Sequence, residues 1–497
     1  MSHSRQLARV AAPVINSPSP TKQNEGVRLR APSSLIQKRK YMNDKPIRLS
    51  RWTHLMSRDG VFAIFHSLNL SLIFLEEKYK LLLEELRYGT TAENLRTHYD
   101  DADEILLELQ EEQFVVSVNN DDEQMLHEKQ QEYVLEPSLE TLFILLTDTC
   151  NLRCRYCFIN NNMPSCSPGS NMMTWETARQ TVDMYFANLK LNRFRNRIVF
   201  YGGEPLLAFQ LMKRIIEYIK TQYAEAFAEY KVGLLLINNG TKVTDEVAKY
   251  LAEHPEITIG ISLDGCEEVH DIQRVYADGK GTFKDVETSI LRLHAVGRKD
   301  INISATISEH NIDRLDDFLV LHKQYSFPSV SFNLLLDTAE QRVDASYTEK
   351  ATIRMLEYFE KAREIGLYED RIMRKIRAIS NGRLHPFDCK ATGAQLAISP
   401  DGSLGICHEG VGCKNFFFGK VSSDFVFADN PLIQEWGKRS PLTMPQCIDC
   451  PSLGLCGGGC AYSAYLRHGT IWSVDDKFCK HSLAVLDWLV WDVYRTL

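Results

Sequence analysis

Cys150-Asn151-Leu152-Arg153-Cys154-Arg155-Tyr156-Cys157 follows directly on the apolar strip Glu140–Thr147. The pattern is C-x3-C-x2-C, in a loop that leaves a strand. A 4Fe–4S cluster that only carries electrons is held by four thiolates. Three thiolates leave one iron without a protein ligand, open to a substrate or cofactor. The competing chemistry, a zinc site, asks for four ligands, and only Cys166, nine residues on, is near enough in sequence to add one.

The chain on the C-terminal side of this loop alternates regularly. Strands are predicted at Glu140–Thr147, Ile198–Tyr201, Val232–Ile237, Ile257–Leu263, Ile301–Ile307 and Val330–Leu336. Helices are predicted between them at Trp175–Leu189, Leu206–Ala228, Asp245–Glu253, Phe283–Ala295 and Ile312–Tyr325, with Thr174 and Thr244 at N-cap positions. Such alternation implies an α/β fold with a parallel sheet, and six units imply a partial (β/α)6 barrel. Barrels of this kind carry their chemistry at the carboxyl ends of the strands, where the cysteine loop falls.

The 497 residues are 44% hydrophobic and 25% charged, which excludes a mostly disordered or collagen-like chain. No apolar run approaches bilayer length, and the first 50 residues hold no apolar core of a secretory signal. With 57 Lys and Arg against 65 Asp and Glu, the net charge is −8. A net acidic chain is a poor partner for nucleic acid; neither nucleic acid nor membrane is expected to bind, and a cytoplasmic location is. Thiols in that compartment stay reduced, so clustered cysteines read as metal ligands. Of 13 cysteines, three form the loop trio and eight lie between Cys389 and Cys479.

The remaining segments divide by composition. Residues 1–50, rich in Ser, Pro and basic residues, are expected to be a disordered tail. Residues 51–138 have the strand and helix order of a small winged-helix-like module. Between His98 and Glu140 there are 14 acidic residues against the single base Lys129, which repels phosphates. Residues 139–340 are the barrel, 341–385 a helical linker, 386–482 a Cys-rich domain and 483–497 a C-terminal helix.

The trio, with aromatic Tyr156 before its last cysteine, resembles the signature of the radical S-adenosylmethionine (SAM) enzymes. Gly202-Gly203-Glu204-Pro205 after the second strand resembles the family's GGEP motif. Asn239-Gly240-Thr241 resembles its TNGT segment, with Asn238 in place of the leading Thr. Ser262-Leu263-Asp264-Gly265 with His270-Asp271 and Arg274 resembles its fourth-strand segment. The resemblance implies that Cys150, Cys154 and Cys157 are the catalytic cluster ligands. It also implies that Tyr156, Gly202, Gly203, Glu204, Asn239, Ser262, Asp264 and Arg274 bind SAM, whose reductive cleavage yields a 5′-deoxyadenosyl radical.

The second group is Cys389, Cys407, Cys413, Cys447, Cys450, Cys456, Cys460 and Cys479. Taken alone, eight thiolates suit two clusters or two zincs. Cys389-x12-Gly402-x4-Cys407, then Cys447-x2-Cys450-x5-Cys456-x3-Cys460-x18-Cys479, resembles the SPASM domain of some radical SAM enzymes. The resemblance implies two auxiliary 4Fe–4S clusters. Cys389, Cys407 and Cys460 would hold the first, with Cys413 as candidate fourth ligand, and Cys447, Cys450, Cys456 and Cys479 the second. Cys166 and Cys266 are left as structural or incidental thiols.

In sulfatase maturases an Asp usually follows the cysteine that corresponds to Cys407; here His408 stands there. Cys407-His408-Glu409-Gly410-Val411-Gly412 is similar to the C-H-x-x-x-G of peptide maturases that form thioethers. His408 and Glu409 are candidate proton acceptors, and residues 51–118 resemble the peptide-recognition module of ribosomal-peptide (RiPP) maturases. The implied partners are a precursor peptide and a flavodoxin- or ferredoxin-type reductant. The competing readings are another SPASM enzyme that joins carbon to carbon or modifies a protein side chain, an iron–sulfur electron carrier or peptide scaffold without catalysis, and a zinc-stabilised adaptor.

Overall fold

The computed structural model describes residues 45–157, 172–190, 196–337 and 343–497. Most of the expected tail, and Cys166, lie outside the described residues. The end of the tail departs from expectation. Strand β1 (Ile47–Leu49) pairs antiparallel with β5 (Val115–Ser117), because Ile47 and Leu49 supply an apolar face to the module's core. Strands β2 (Thr53–Arg58), β3 (Val61–His66) and β4 (Leu72–Glu76) form a three-stranded antiparallel sheet. Helices Lys80–Tyr88, Ala92–Arg96 and Ala102–Glu111 follow, and then a further helix, Asp122–Tyr133. That helix is mostly polar and buries only Leu126, so its sequence has no apolar stripe to read.

The alternating region forms the expected strands β6 (Thr141–Thr147), β7 (Arg197–Gly202), β8 (Gly233–Asn238), β9 (Ile257–Ser262), β10 (Ile301–Ile307) and β11 (Ser329–Leu334). They lie side by side in chain order and in parallel. Helices Trp175–Ala187, Asp245–Glu253 and Phe283–Ala295 keep close to expectation, with Thr174 and Thr244 accepting the backbone N–H of Thr177 and Val247. The expected helix Ile312–Tyr325 begins only at Asp317. Asn311 explains this: its amide donates to the carbonyls of Asp264 and Thr306 and its oxygen accepts from Ser308 N, which holds the preceding residues as a turn.

Two boundaries move. The expected linker is two helices, Ala345–Glu364 and Asp370–Asn381, and between them β12 (Tyr368–Glu369) adds to the sheet beside β11. At the other edge, β13 (Gln395–Ile398) pairs in parallel with β6, followed by antiparallel β14 (Ser403–Gly405) and β15 (Phe417–Lys420). The sheet therefore has ten strands, and the Cys-rich region extends it rather than standing apart. The last helix, Asp476–Arg495, runs through the expected boundary at 482 and carries Cys479.

The N-terminal module is not an appendage. Trp52, Phe65 and Leu72 share one apolar cluster with Leu384, Ile448, Leu453, Leu489 and Trp491 of the C-terminal region. Arg51 grips Asp449 with two hydrogen bonds, and Arg58 pairs with Asp487 at 2.8 Å. Among the described residues, no helix is long and apolar enough to cross a membrane. Trp52 is fully enclosed at this seam. Trp52→Ala is expected to cost about 3–5 kcal/mol, read as an earlier urea transition by circular dichroism and as faster proteolysis near residue 51.

Candidate functional site

Parallel register carries the loops after β6, β7, β8 and β9 to one end of the sheet, and the trio meets them there. Gly202 and Gly203 lie against the loop after β6. A Cβ on Gly202 would come within 2.3 Å of the Thr147 carbonyl oxygen, and one on Gly203 within 2.2 Å of that of Thr149. Neither position tolerates a side chain. The backbone N–H groups of Gly203 and Glu204 donate to these same carbonyls, at 2.8 and 2.9 Å.

Glu204 is turned inward. Its carboxylate accepts Leu206 N at 2.9 Å and Asn239 N at 2.8 Å, tying the end of β7 to the end of β8. Burial pushes this carboxyl up to about 7, against the pull of the two backbone donors. Asn239 passes the constraint on: its amide donates to Asn151 Oδ1 at 3.0 Å, and Asn151 donates to Thr241 Oγ1 at 2.8 Å. Asn238, where the resemblance leads one to expect Thr, accepts Gly240 N at 2.8 Å and donates to the Gly260 carbonyl, so it closes a local turn.

The far side of the cysteine loop is held by the segment after β9. Arg153 N and Arg155 N donate to the carbonyls of Val275 and Gln273. Arg274 donates to Tyr156 Oη at 2.6 Å and lies 3.8 Å from Asp264, which in turn accepts the Tyr156 hydroxyl and Thr306 N. Arg274 Nε is buried without a partner. His270 and Asp271 brace this segment: His270 Nε2 bonds Thr282 Oγ1, and Asp271 accepts the N–H groups of Thr282 and Phe283.

Cys150, Cys154, Cys157, Tyr156, Gly202, Gly203, Glu204, Asn239, Ser262 and Arg274 all line one cavity of about 360 Å³. Asp264 lies behind it, fully buried. Burial raises the Cys150 thiol and pushes Cys154 up to about 11. As free groups they hold their protons, and binding a cation releases them. The donor set fits the implied groups: three thiols on one wall, and an orphaned guanidinium N–H where a carboxylate would find a partner.

A second cavity, of about 480 Å³, adjoins the first and shares Phe143, Ile237, Ser304, Asn333, Arg371, His408 and Glu409 with it. Cys389, Cys407 and Cys460 line its far end. Cys389 is exposed and lines this cavity. These three thiols lie within one another's electrostatic reach, and Cys447, Cys450, Cys456 and Cys479 form a separate mutual set. Buried Arg439 holds the second set's loop by donating to the carbonyls of Gly458, Gly459 and Ser473. Cys413 does not line the cavity. Cys266 sits at the start of helix Glu267–Gln273 beside Asp317, outside both cavities. Among the described residues, no three His, Cys, Asp or Glu side chains converge as a single ion requires; a cluster instead gives every thiolate its own iron.

Several cavity residues were not singled out from sequence. Asn302, Ser304 and Thr306 alternate with buried apolar residues along β10 and face the open interior with Asn333 of β11. That period of two was the available signal. Phe143 stacks on His408 with ring centres 4.2 Å apart, and Tyr201 packs edge-on to both. Burial pulls His408 down to about 4, so its ring is neutral.

Residues 144–322 match the Radical SAM superfamily. The chain is similar to the radical SAM cyclopropyl synthase TigE of Paramaledivibacter caminithermalis, 23% identical over 467 residues, covering 88% of this chain and 94% of that protein. It is 26% identical over 328 residues to the mycofactocin maturase MftC of Mycobacterium ulcerans, covering 63% of this chain and 81% of that one. In fold it resembles the structure of anSMEcpe with bound AdoMet and Cp18Cys peptide, with a TM-score of 0.61 and 19% identity, covering 72% of this chain and 99% of that chain.

Glu204→Gln sets an amide NH2 against one of two backbone donors. It is expected to cost about 1–3 kcal/mol, measured by urea unfolding. Gly203→Ala, which has no room, is expected to abolish soluble folded protein.

Proposed function

We propose that this chain, a radical SAM enzyme over residues 144–322, is a cytoplasmic maturase that crosslinks a ribosomally made peptide through thioethers. One observation carries the reading: the two adjoining cavities form a single chamber, with the first cysteine trio at one end and Cys389, Cys407 and Cys460 at the other. A chamber of this extent has room for a peptide segment as well as a small cofactor.

Joining sulfur to an unactivated C–H carbon is beyond side-chain acid–base chemistry, because no protein base has the strength to take that hydrogen. With SAM and a reduced 4Fe–4S cluster bound, the chemistry supplied is homolytic hydrogen abstraction. Cys150, Cys154 and Cys157 would hold the cluster. Arg274, through its unpartnered Nε, would hold the SAM carboxylate, and Gly202, Gly203 and Asn239 would border its methionine end. Phe143, Tyr201, Leu334 and Leu336 line the cavity and would keep water from the reacting carbon. Cys389, Cys407 and Cys460, with Cys447, Cys450, Cys456 and Cys479, would hold two auxiliary clusters as the route out for the electron that bond formation leaves over. A flavodoxin- or ferredoxin-type protein would supply the first electron.

The winged-helix-like module would bind the precursor's leader. Its sheet ends on β2 and β4, and an edge strand takes up an extended peptide by strand addition. The acidic excess between residues 98 and 140 favours a leader with basic residues. A second reading, carbon–carbon ring closure, is supported by the similarity to a cyclopropyl synthase along 88% of the chain.

The test is anaerobic reconstitution with iron and sulfide, followed by SAM, dithionite and candidate precursors. About twelve irons per chain, 5′-deoxyadenosine and a peptide lighter by two hydrogens per event are expected. Loss of an alkylatable cysteine thiol per event identifies a thioether; retained thiols identify carbon–carbon closure. Bound zinc without iron would overturn the proposal.

A further inference from the structure

Three cysteines share the far end of the chamber, one fewer than the irons of a 4Fe–4S cluster. Cys413 is not on that wall. Glu409 is. It follows Cys407 in the single turn His408–Val411 and lines both cavities. The Cys460 thiol points at its carboxylate, with Sγ 3.9 Å from Oε2. The turn is rigid: Gly410 N donates to the Cys407 carbonyl, and a Cβ on Gly410 would meet the Asn415 carbonyl oxygen at 2.4 Å.

No ion pair within 4 Å compensates this carboxylate among the described residues. Lys477, the cation whose field it feels most, is engaged by Asp337 at 3.3 Å and the Leu335 carbonyl, and Asp337 also binds Arg467. Arg371 Nε is spent on the Phe332 carbonyl. The other carboxylates on this wall are taken: Asp475 accepts Cys460 N, and Asp388 lies against His385. Lys477 and Arg371 reach this carboxylate through their fields and not by direct contact; a carboxylate enclosed with so little compensation is costly, and it is a hard oxygen donor facing a thiol.

We propose that Glu409 is the fourth protein ligand of the cluster held by Cys389, Cys407 and Cys460, making a three-thiolate, one-carboxylate site. The inference rests on the auxiliary-cluster reading above. Ligation forms one oxygen–iron bond and releases the carboxyl proton, if present, to the cavity water; nothing is oxidised or reduced. A carboxylate binds iron less tightly than a thiolate, so an incoming thiolate would displace Glu409 more readily than any of the cysteines, forming a sulfur–iron bond as the oxygen–iron bond breaks.

The test uses the full chain with Cys150, Cys154 and Cys157 changed to Ala, which leaves only the auxiliary sites, reconstituted and reduced with dithionite. About eight irons per chain are expected. Glu409→Ala is expected to change the electron paramagnetic resonance signal of one cluster and leave the other unchanged. It is also expected to lower at least tenfold the mercaptoethanol concentration that perturbs the changed signal. Should Glu409→Ala instead lose about four irons, Glu409→Cys is expected to restore them, and failure to restore overturns the inference. Identical spectra and thiol sensitivity with and without Glu409 overturn it too, even if turnover falls, since that pattern belongs to an acid–base group. Absence of iron from the triple variant would overturn the auxiliary-cluster reading itself, and this inference with it.

Discussion

The site depends on a buried carboxylate that ties two loops together. Glu204 accepts two backbone N–H groups, one from its own turn and one from the end of the neighbouring strand. Through Asn239 and Asn151 the same constraint reaches the cysteine loop. Three loops that would otherwise move independently are thereby fixed relative to one another. A carboxylate that accepts two backbone donors is a strong clamp, since charge-assisted hydrogen bonds exceed neutral ones. Its burial would be costly without them.

The opposite wall uses a different device. Arg274, Tyr156 and Asp264 form a compact network in which a cation, a hydroxyl and a carboxylate satisfy most of one another's needs while Arg274 Nε is left over. Such a network holds the loop's shape and keeps one donor in reserve for a ligand. The two walls are braced from opposite sides of the sheet end, so the cavity between them is defined before any cofactor arrives.

The Cys-rich region is bound to the barrel by strand pairing rather than by a linker. β13 extends the sheet beside β6, the strand that delivers the first cysteine loop. The turn with Cys407, His408 and Glu409 therefore faces the same interior as the trio, and Phe143 of β6 stacks on His408 across the junction. Two adjoining cavities with shared walls result from one continuous sheet. The N-terminal module shares an apolar cluster with the last helix, which also carries Cys479, so the segment read as peptide-binding is mechanically connected to the Cys-rich end.

Much of this was legible in the chain itself. Apolar strips and caps marked the six parallel strands and most helices, because local burial patterns and capping chemistry are written in adjacent residues. The cysteine spacings marked both thiol groups for the same reason. The short Gly-Gly-Glu turn was readable as a place of close backbone approach, but its partners, the carbonyls of Thr147 and Thr149, lie more than fifty residues away. Only the tertiary structure decided that Glu204 faces inward, that β12 and β13 extend the sheet at both edges, and that Glu409 shares a wall with three cysteines while Cys413 does not. Each of these is set by contacts between residues distant in sequence. Such contacts follow from how elements pack, and no local pattern of residues encodes them.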